Sequence, residues 1–166
     1  MSVKSSELLH KIRKVADYQF GKGAGESLFP EEVSVILSKR TKKIRHVYLG
    51  DKLLATLRPT VGFFSLTVEG ARRLACYTKP PRLWVQVQNE VAAFIEKGGD
   101  VFAKHITDVD GEIRPMEEVI VLNGKQRVIA VGKAMLSGDE MKVFKKGVAV
   151  KVRRGDLEKV KKRKHK

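Results

Sequence analysis

Residues 82–102, RLWVQVQNEVAAFIEKGGDVF, carry the pattern that decides the fold of the second half of the chain. The stretch Arg82–Val87 alternates in the manner of a half-buried strand. Asn89 then predicts the N-cap of a short helix with an apolar face. Gly98-Gly99 predicts the end of that helix, because glycine adopts the left-handed conformation that closes many helices. Extended structure resumes at Val101, so the segment predicts a strand, a helix and a strand in close succession.

Further strands follow this segment, separated by turn dipeptides. Asp110-Gly111 and Asn123-Gly124 are typical of tight hairpins. Asn123-Gly124 separates two runs rich in β-branched residues, Glu118–Leu122 and Arg127–Val131. A last strand is predicted over Val148–Arg153. Five or six short strands and one helix in about 70 residues predict a small, partly closed barrel.

The first half of the chain predicts a second, mixed unit. We expect a helix over residues 5–16 with an apolar face, a flexible glycine-rich loop at residues 21–26, and a second helix capped by Thr67. Between them, short strands are predicted over Leu53–Leu57 and Phe63–Leu66, and a hairpin turn is predicted at Tyr48–Lys52.

Pro80-Pro81 is the clearest internal boundary, because proline disfavours helix in the residue before it. We therefore expect an α+β protein with one domain at residues 1–79 and another at residues 82–154. Residues 155–166 are expected to form a basic, disordered tail, because Lys159–Lys166 has too little apolar content to fold. That tail is predicted to add non-specific electrostatic attraction, and a nuclear signal is the competing interpretation for a eukaryotic source.

The charge of the chain points to a polyanionic partner. Its 166 residues contain 34 Lys and Arg against 19 Asp and Glu, a formal net charge of +15. Solubility alone needs a charge of only about 2 to 8. The 42% hydrophobic content excludes a disordered chain. No apolar run has the length of a signal peptide or membrane span, so we expect a cytoplasmic protein without a membrane partner.

The excess charge is concentrated in residues 1–80, with a net charge of +8, whereas residues 81–154 carry +3. The densest cluster within the predicted domains has five positive charges in seven residues and no acid among them: Lys39, Arg40, Lys42, Lys43 and Arg45. Mutual repulsion makes such a cluster costly on a merely solvated face. The cluster therefore predicts an anion-binding surface.

Catalytic and metal-binding motifs are not found in the sequence. Residues 21–26 end in Glu26 where a dinucleotide fingerprint requires glycine. The four histidines do not have metal-ligand spacing. Cys76 is a single cysteine without a nucleophile signature, and we expect it to be packed. We therefore expect no catalytic residue, no metal, no cofactor and no enzyme activity.

The second half resembles a PUA domain, an RNA-binding module named after pseudouridine synthases and archaeosine transglycosylase. The stretches that carry the resemblance are Gly98–Ile106, Glu118–Val121, Val128–Ala134 and Gly147–Arg153. The most specific are IAVGKA at residues 129–134 and GVAVKVR at residues 147–153.

The first half is similar to the domain that precedes PUA in archaeal tRNA-guanine transglycosylase. The matching stretches are Tyr18–Gly21, Leu28–Pro30, Ile44–Tyr48, Leu54–Arg58 and Phe64–Ala71. The resemblance implies a small α/β pre-PUA domain followed by a PUA-type, partly closed β-barrel with one or two helices. The catalytic (β/α)₈ barrel of that enzyme, which takes about 250 residues, has no counterpart in this sequence.

The resemblance implies a non-catalytic protein that binds structured RNA, tRNA or rRNA, in RNA modification. Carried over position by position, the RNA-binding residues of the PUA half are Gly98, Gly99, Phe102, Lys104, Lys151 and Arg153. Phe102 belongs equally well to the core. Two alternatives stay open: an RNA-binding subunit that serves a tRNA transglycosylase or another tRNA-modifying enzyme in trans, and a translation or ribosome-assembly factor associated with ribosomal particles.

Overall fold

The computed structural model describes residues 3–77 and 82–158. The Pro80-Pro81 boundary and residues 159–166 of the predicted tail lie outside these residues. Residues 155–158, predicted as part of the disordered tail, instead pack on the second sheet: β10 ends at Gly155, and the Asp156 N–H donates to the Ile129 carbonyl at 2.9 Å. Within these ranges, the chain forms one antiparallel sheet and one mixed sheet, and helices pack against both. No helix in these two ranges has the length and apolar character needed to cross a bilayer.

The first sheet has four antiparallel strands in the order β1-β2-β3-β4. The strands are β1 Ser34–Leu37, β2 Ile44–Leu49, β3 Lys52–Leu57 and β4 Phe64–Leu66. Three helices accompany them: α1 Val3–Phe20, α2 Ala24–Leu28 and α3 Val68–Tyr77. Their apolar side chains bury the face of the sheet that carries Val47, Ala55 and Leu66.

The second sheet has six strands in the order β6-β10-β9-β8-β5-β7 and is nearly closed into a barrel. The strands are β5 Trp84–Val87, β6 Val101–Phe102, β7 Ile106–Val109, β8 Glu118–Leu122, β9 Val128–Ala134 and β10 Val148–Gly155, with helices α4 Asn89–Glu96 and α5 Gly138–Val143. All pairings are antiparallel except that of β5 with β8. This architecture confirms the predicted fold class.

Several local predictions are confirmed. The Thr67 hydroxyl accepts a hydrogen bond from the Gly70 N–H at 3.1 Å and caps α3. The N–H groups of Gly98 and Gly99 donate to the Ile95 and Phe94 carbonyls and close α4. Asn123-Gly124 joins β8 to β9 in a hairpin. In each case residues close in sequence determine the conformation.

One turn prediction and one helix-cap prediction are wrong, and both errors come from contacts between residues that are distant in sequence. Asp110-Gly111 does not form a hairpin, because β5 lies between β7 and β8 in the sheet. The Asp110 carboxylate instead accepts a hydrogen bond from the Leu83 N–H at 2.9 Å. Asn89 is the first residue of α4 and not its N-cap, and its side-chain oxygen accepts from the Gly124 N–H at 2.9 Å.

The predicted flexible loop and the packed cysteine also need correction. Residues 24–28 form α2, and the Gly25 N–H donates to the Asp17 carboxylate at 2.7 Å, which ties the start of α2 to α1. Two glycines precede this short helix, and for that reason the sequence predicted a flexible loop there instead. Cys76 is exposed near the end of α3 and is not packed.

Candidate nucleic-acid interface

The basic cluster lies on the hairpin between β1 and β2, at one edge of the first sheet. The turn is closed by its own backbone: the Ser38 N–H donates to the Lys43 carbonyl at 2.7 Å, and the Lys42 N–H donates to the Ser38 carbonyl at 2.9 Å. The four exposed cations of the turn are Lys39, Arg40, Lys42 and Lys43, and exposed Arg45 follows on β2. We call these five residues the basic hairpin.

The basic hairpin is not neutralised by neighbouring acids. Four ion pairs are found within residues 3–77 and 82–158, and none of them involves the basic hairpin. Lys42 also adopts a left-handed backbone conformation, with φ of 59°, which is unfavourable for residues other than glycine. The basic hairpin therefore holds five uncompensated charges in solvent, where they repel each other and attract anions.

A groove of about 1060 Å³ runs between the first sheet and the end of β10. Five arginines line it: Arg45, Arg58, Arg72, Arg153 and Arg154. Four carboxylates line it as well: Asp51, Glu69, Asp156 and Glu158. Arg72 pairs with both Glu69 and Asp156. The groove is therefore largely neutralised within itself, and Arg45 connects it to the uncompensated charge of the basic hairpin.

One buried ion pair fastens the two sheets to each other. The Arg153 guanidinium donates to both carboxylate oxygens of Glu118, at 2.8 and 2.7 Å, and to the Leu66 carbonyl at 2.7 Å. The Leu66 N–H donates to the same carboxylate at 2.6 Å. Leu66 belongs to β4 of the first sheet, whereas Glu118 and Arg153 belong to the second. These three residues, the interdomain clamp, fix one sheet against the other.

Burial changes the ionisation of the clamp carboxyl. Only 6% of the Glu118 side chain is exposed. This burial raises the pKa of Glu118 above its ordinary value, while the charge and hydrogen bonds of Arg153 and the Leu66 N–H act in the opposite direction. A carboxylate in this position depends on its arginine partner, because an unpaired buried charge is strongly unfavourable.

The turn after α4 is shaped by glycine. Gly98 has φ of +102°, which a side chain rarely adopts, and a Cβ at Gly99 would lie 2.2 Å from the ring of Phe94. Phe94 is exposed and covers the turn. Both glycines are half-buried, and the Glu158 carboxylate lies beside Gly98, so contact of this turn with RNA stays a prediction.

Pairing of β6 with β10 gathers most of the predicted PUA residues. Val148 lies opposite Phe102, and the Val152 N–H donates to the Asp100 carboxylate at 2.9 Å. Phe102 and Lys104 are exposed beside this pair, and exposed Lys151 projects from β10. The ring of Phe102 packs edge-on against His105. Phe102 therefore projects from the surface and is not part of the core.

Arg153 differs from the other predicted RNA-binding residues. Its side chain is 31% exposed, and both terminal nitrogens are occupied by the clamp. Contact of this residue with RNA stays a prediction. Sequence reasoning missed the clamp, although Glu118 stands at the start of an otherwise apolar strand, which is an available signal for a buried charge.

Sequence reasoning also missed Lys133. It lies directly opposite Lys151 in the β9–β10 pair. Like charges in this position destabilise a sheet unless an anion or acid compensates them, and Lys133 also lies opposite Glu118 in the β8–β9 pair. The pair extends the basic surface next to the turn after α4. Strand pairing brings the two lysines together, so single-sequence reasoning could not connect them.

Among residues 3–77 and 82–158, no group of three or more His, Cys, Asp or Glu side chains could hold a metal ion.

The basic hairpin and the predicted RNA-binding residues of the PUA half lie on different sheets. Arg45 and Arg153 are the two predicted residues that line the same groove. The candidate interface thus has two parts, with the interdomain clamp between them.

Comparison with curated proteins gives relatives named tRNA-guanine(15) transglycosylase. The chain is 46% identical to that of Methanothermobacter thermautotrophicus over 147 residues, covering 89% of this chain and 22% of the relative. It is 42% identical to that of Thermococcus kodakarensis over 144 residues, covering 87% of this chain and 24% of the relative. The chain therefore spans about a quarter of the length of these relatives.

Solved structures with the same fold include two archaeal proteins. A hypothetical protein of Pyrococcus horikoshii has a TM-score of 0.75 and 24% identity, with 96% of this chain and 95% of that chain covered. A PUA domain protein of Thermoplasma acidophilum has a TM-score of 0.65 and 22% identity, with 93% and 91% covered. At these identities the likeness concerns the fold alone.

Family models match both halves of the chain. Residues 10–81 match the patch-forming domain C2 of tRNA-guanine transglycosylase, and residues 84–155 match the PUA domain. The two matches meet where the first sheet gives way to the second. The chain thus carries a C2 domain of the tRNA-guanine transglycosylase type followed by a PUA domain.

Proposed function

We propose that this chain binds structured RNA, tRNA or rRNA, and serves as a non-catalytic recognition unit in RNA modification. The observation that carries the proposal is the basic hairpin, whose five cations are exposed and make no ion pair within the described residues. Phosphate neutralisation supplies most of the affinity of such surfaces for nucleic acids.

The PUA half supplies the second contact in this proposal. Exposed Phe102, Lys104 and Lys151 lie beside the β6–β10 pair, and the half-buried turn at Gly98 and Gly99 adjoins them; in this proposal they meet an RNA end. Arg153 contributes by fixing the orientation of the two domains, so that both surfaces face one RNA. Recognition is then by shape and by two separated contacts, as is common for structured RNA.

The C2 match and the transglycosylase relatives favour a role in tRNA modification over one in ribosome assembly. In this role the chain acts together with the enzyme whose C-terminal part it resembles, either as part of that enzyme or as a separate chain in trans. Co-purification with a catalytic chain, together with loss of a modified tRNA base on deletion, supports this context. Association with ribosomal particles in a gradient supports the alternative.

The direct experiment measures the affinity for a tRNA transcript as a function of salt. About six phosphate contacts give a slope of log K against log salt of about −4 to −5. Replacing Lys39, Arg40, Lys42 and Lys43 with Ala removes four contacts and reduces the magnitude of the slope by about 3. The melting temperature stays nearly unchanged, because these side chains are exposed and make no ion pair within the described residues.

A matched control removes the same charge from scattered exposed positions. Its four replacements by Ala are at Lys11, Lys52, Lys125 and Lys142. We expect the control to keep a slope within about 1 of the original. Equal slopes for the two variants would mean that net charge, and not the basic hairpin, attracts RNA. A slope near zero for the unaltered protein would refute RNA binding.

A further inference from the structure

Two exposed aromatic rings lie against each other at the end of the first sheet. Tyr18 on α1 is 78% exposed and Phe63, just before β4, is 41% exposed. Their ring centroids are 5.9 Å apart and their planes differ by 2°. Large exposed aromatic side chains in contact are unusual on a surface that only faces solvent. We call this pair the aromatic platform.

The aromatic platform is held rigidly from both sides. The Gln19 side chain, next to Tyr18, donates to the Phe64 carbonyl at 2.9 Å and accepts from the Phe64 N–H at 2.8 Å. The loop that carries Phe63 is closed because the Arg58 N–H donates to the Phe63 carbonyl at 2.9 Å. A flat surface fixed in this way loses little conformational entropy when a ligand stacks on it.

The aromatic platform and the basic hairpin lie at the same end of the first sheet. Because all four strands are antiparallel, the loop after β1 and the loop before β4 leave the sheet at one end. β4 is two strand positions from β2 and three from β1, a lateral distance of about 10 to 14 Å. Exposed Lys14 lies one helical turn before Tyr18 on the same face of α1 and adds a nearby cation.

We propose that the aromatic platform stacks an unpaired nucleobase of the bound RNA while the basic hairpin holds phosphates of the neighbouring nucleotides. Base stacking on aromatic rings beside a cationic surface is the usual way in which single-stranded RNA is held. The inference rests on the proposed function, because it names the part of an RNA that this surface recognises. The surrounding positive charge favours RNA over a protein partner for these exposed rings.

The ring geometry decides how the base stacks. A base inserted between the two rings would need about 7 Å, twice the rise of stacked bases. The centroid separation of 5.9 Å is shorter. The base therefore stacks on the outer face of the pair, on the more exposed ring of Tyr18.

The test compares two RNA hairpins that differ in a single-stranded 3′ extension carrying 2-aminopurine. Tyr18→Ala is expected to weaken binding of the extended RNA about tenfold and to leave binding of the blunt RNA within twofold. The salt slope stays unchanged, because no charge is removed. Tyr18→Trp retains tight binding, and 2-aminopurine fluorescence changes on binding to the unaltered protein but not to Tyr18→Ala.

The matched control is Tyr77→Ala, which removes another exposed tyrosine from the same domain. It is expected to leave both affinities unchanged. If the unaltered protein binds neither RNA, the proposed function fails and this inference with it. If the protein binds RNA but Tyr18→Ala binds both RNAs as the unaltered protein does, only the inference is overturned. Loss of self-association in Tyr18→Ala, with RNA affinity intact, likewise overturns it and assigns the rings to a second copy of the chain.

Discussion

Removal of the Arg153 side chain tests whether the interdomain clamp holds the two sheets together. Arg153→Ala eliminates three hydrogen bonds and leaves the Glu118 carboxylate, 6% exposed, without its cation. Breaking a buried ion pair from one side costs about 3 to 5 kcal/mol. Because the Arg153 side chain is 31% exposed, water compensates part of this loss, and we expect about 2 to 3 kcal/mol.

Thermal unfolding followed by calorimetry and circular dichroism measures this loss. For a chain of this size, about 1 kcal/mol shifts Tm by about 2 to 4 °C, so the melting temperature is expected to fall by about 5 to 10 °C. Because the clamp joins two sheets, the variant is also expected to lose cooperativity and to unfold over a broader range. Lys151→Ala is the control, since this exposed residue on the same strand should change stability by less than about 0.5 kcal/mol.

A double-mutant cycle with Glu118→Gln separates the pair from its surroundings. We expect a coupling energy of about 1 kcal/mol or more between the two positions. A melting temperature of Arg153→Ala within about 1 °C of the unaltered protein would refute the clamp. Its guanidinium would then be free for another partner, and direct contact with RNA would become the better explanation of Arg153.

Two further predictions concern the second sheet. Burial raises the pKa of Glu118 in the folded protein above 4.5, so the stability that its protonation provides is present below pH 4.5 and is lost as pH rises through the folded pKa. Urea unfolding across this range should show the unaltered protein losing stability relative to Glu118→Gln; a difference independent of pH would contradict the shift. Gly132→Ala places a Cβ 2.3 Å from the Lys151 carbonyl, so β9 and β10 must separate, and urea unfolding should show a loss of about 3 kcal/mol. Lys133→Ala is its control, and equal stability of the two would show that the strands can adjust.

The sequence predicted those features of the fold that neighbouring residues determine. The cap at Thr67, the end of α4 at Gly98 and the Asn123-Gly124 hairpin all depend on side chains within a few positions of one another. Asp110-Gly111 has the same kind of turn signal, but β5 pairs between the two flanking strands. A dipeptide preference cannot anticipate which distant strand will take that place.

The candidate site likewise has parts that neighbouring residues determine and parts that depend on contacts between distant residues. The basic hairpin is a run of charges in sequence, and a short turn keeps such a run together in space, so its position on the surface followed from the pattern. Arg153 was predicted to contact RNA, whereas Glu118 and the Leu66 backbone occupy its guanidinium. The aromatic platform joins residues 45 positions apart and has no local signature at all.

The sequence by itself determined the two domains' character, the helix ends, the excess of positive charge and its concentration at residues 39–45. These depend on composition and on interactions between near neighbours, which a single chain displays directly. The tertiary structure alone decided that Glu118 and Arg153 join the two sheets at Leu66, that Lys133 faces Lys151, and that Tyr18 stacks on Phe63. The reason is physical: burial, strand pairing and ring stacking act between groups brought close by the folded backbone, and their partners are distant along the chain.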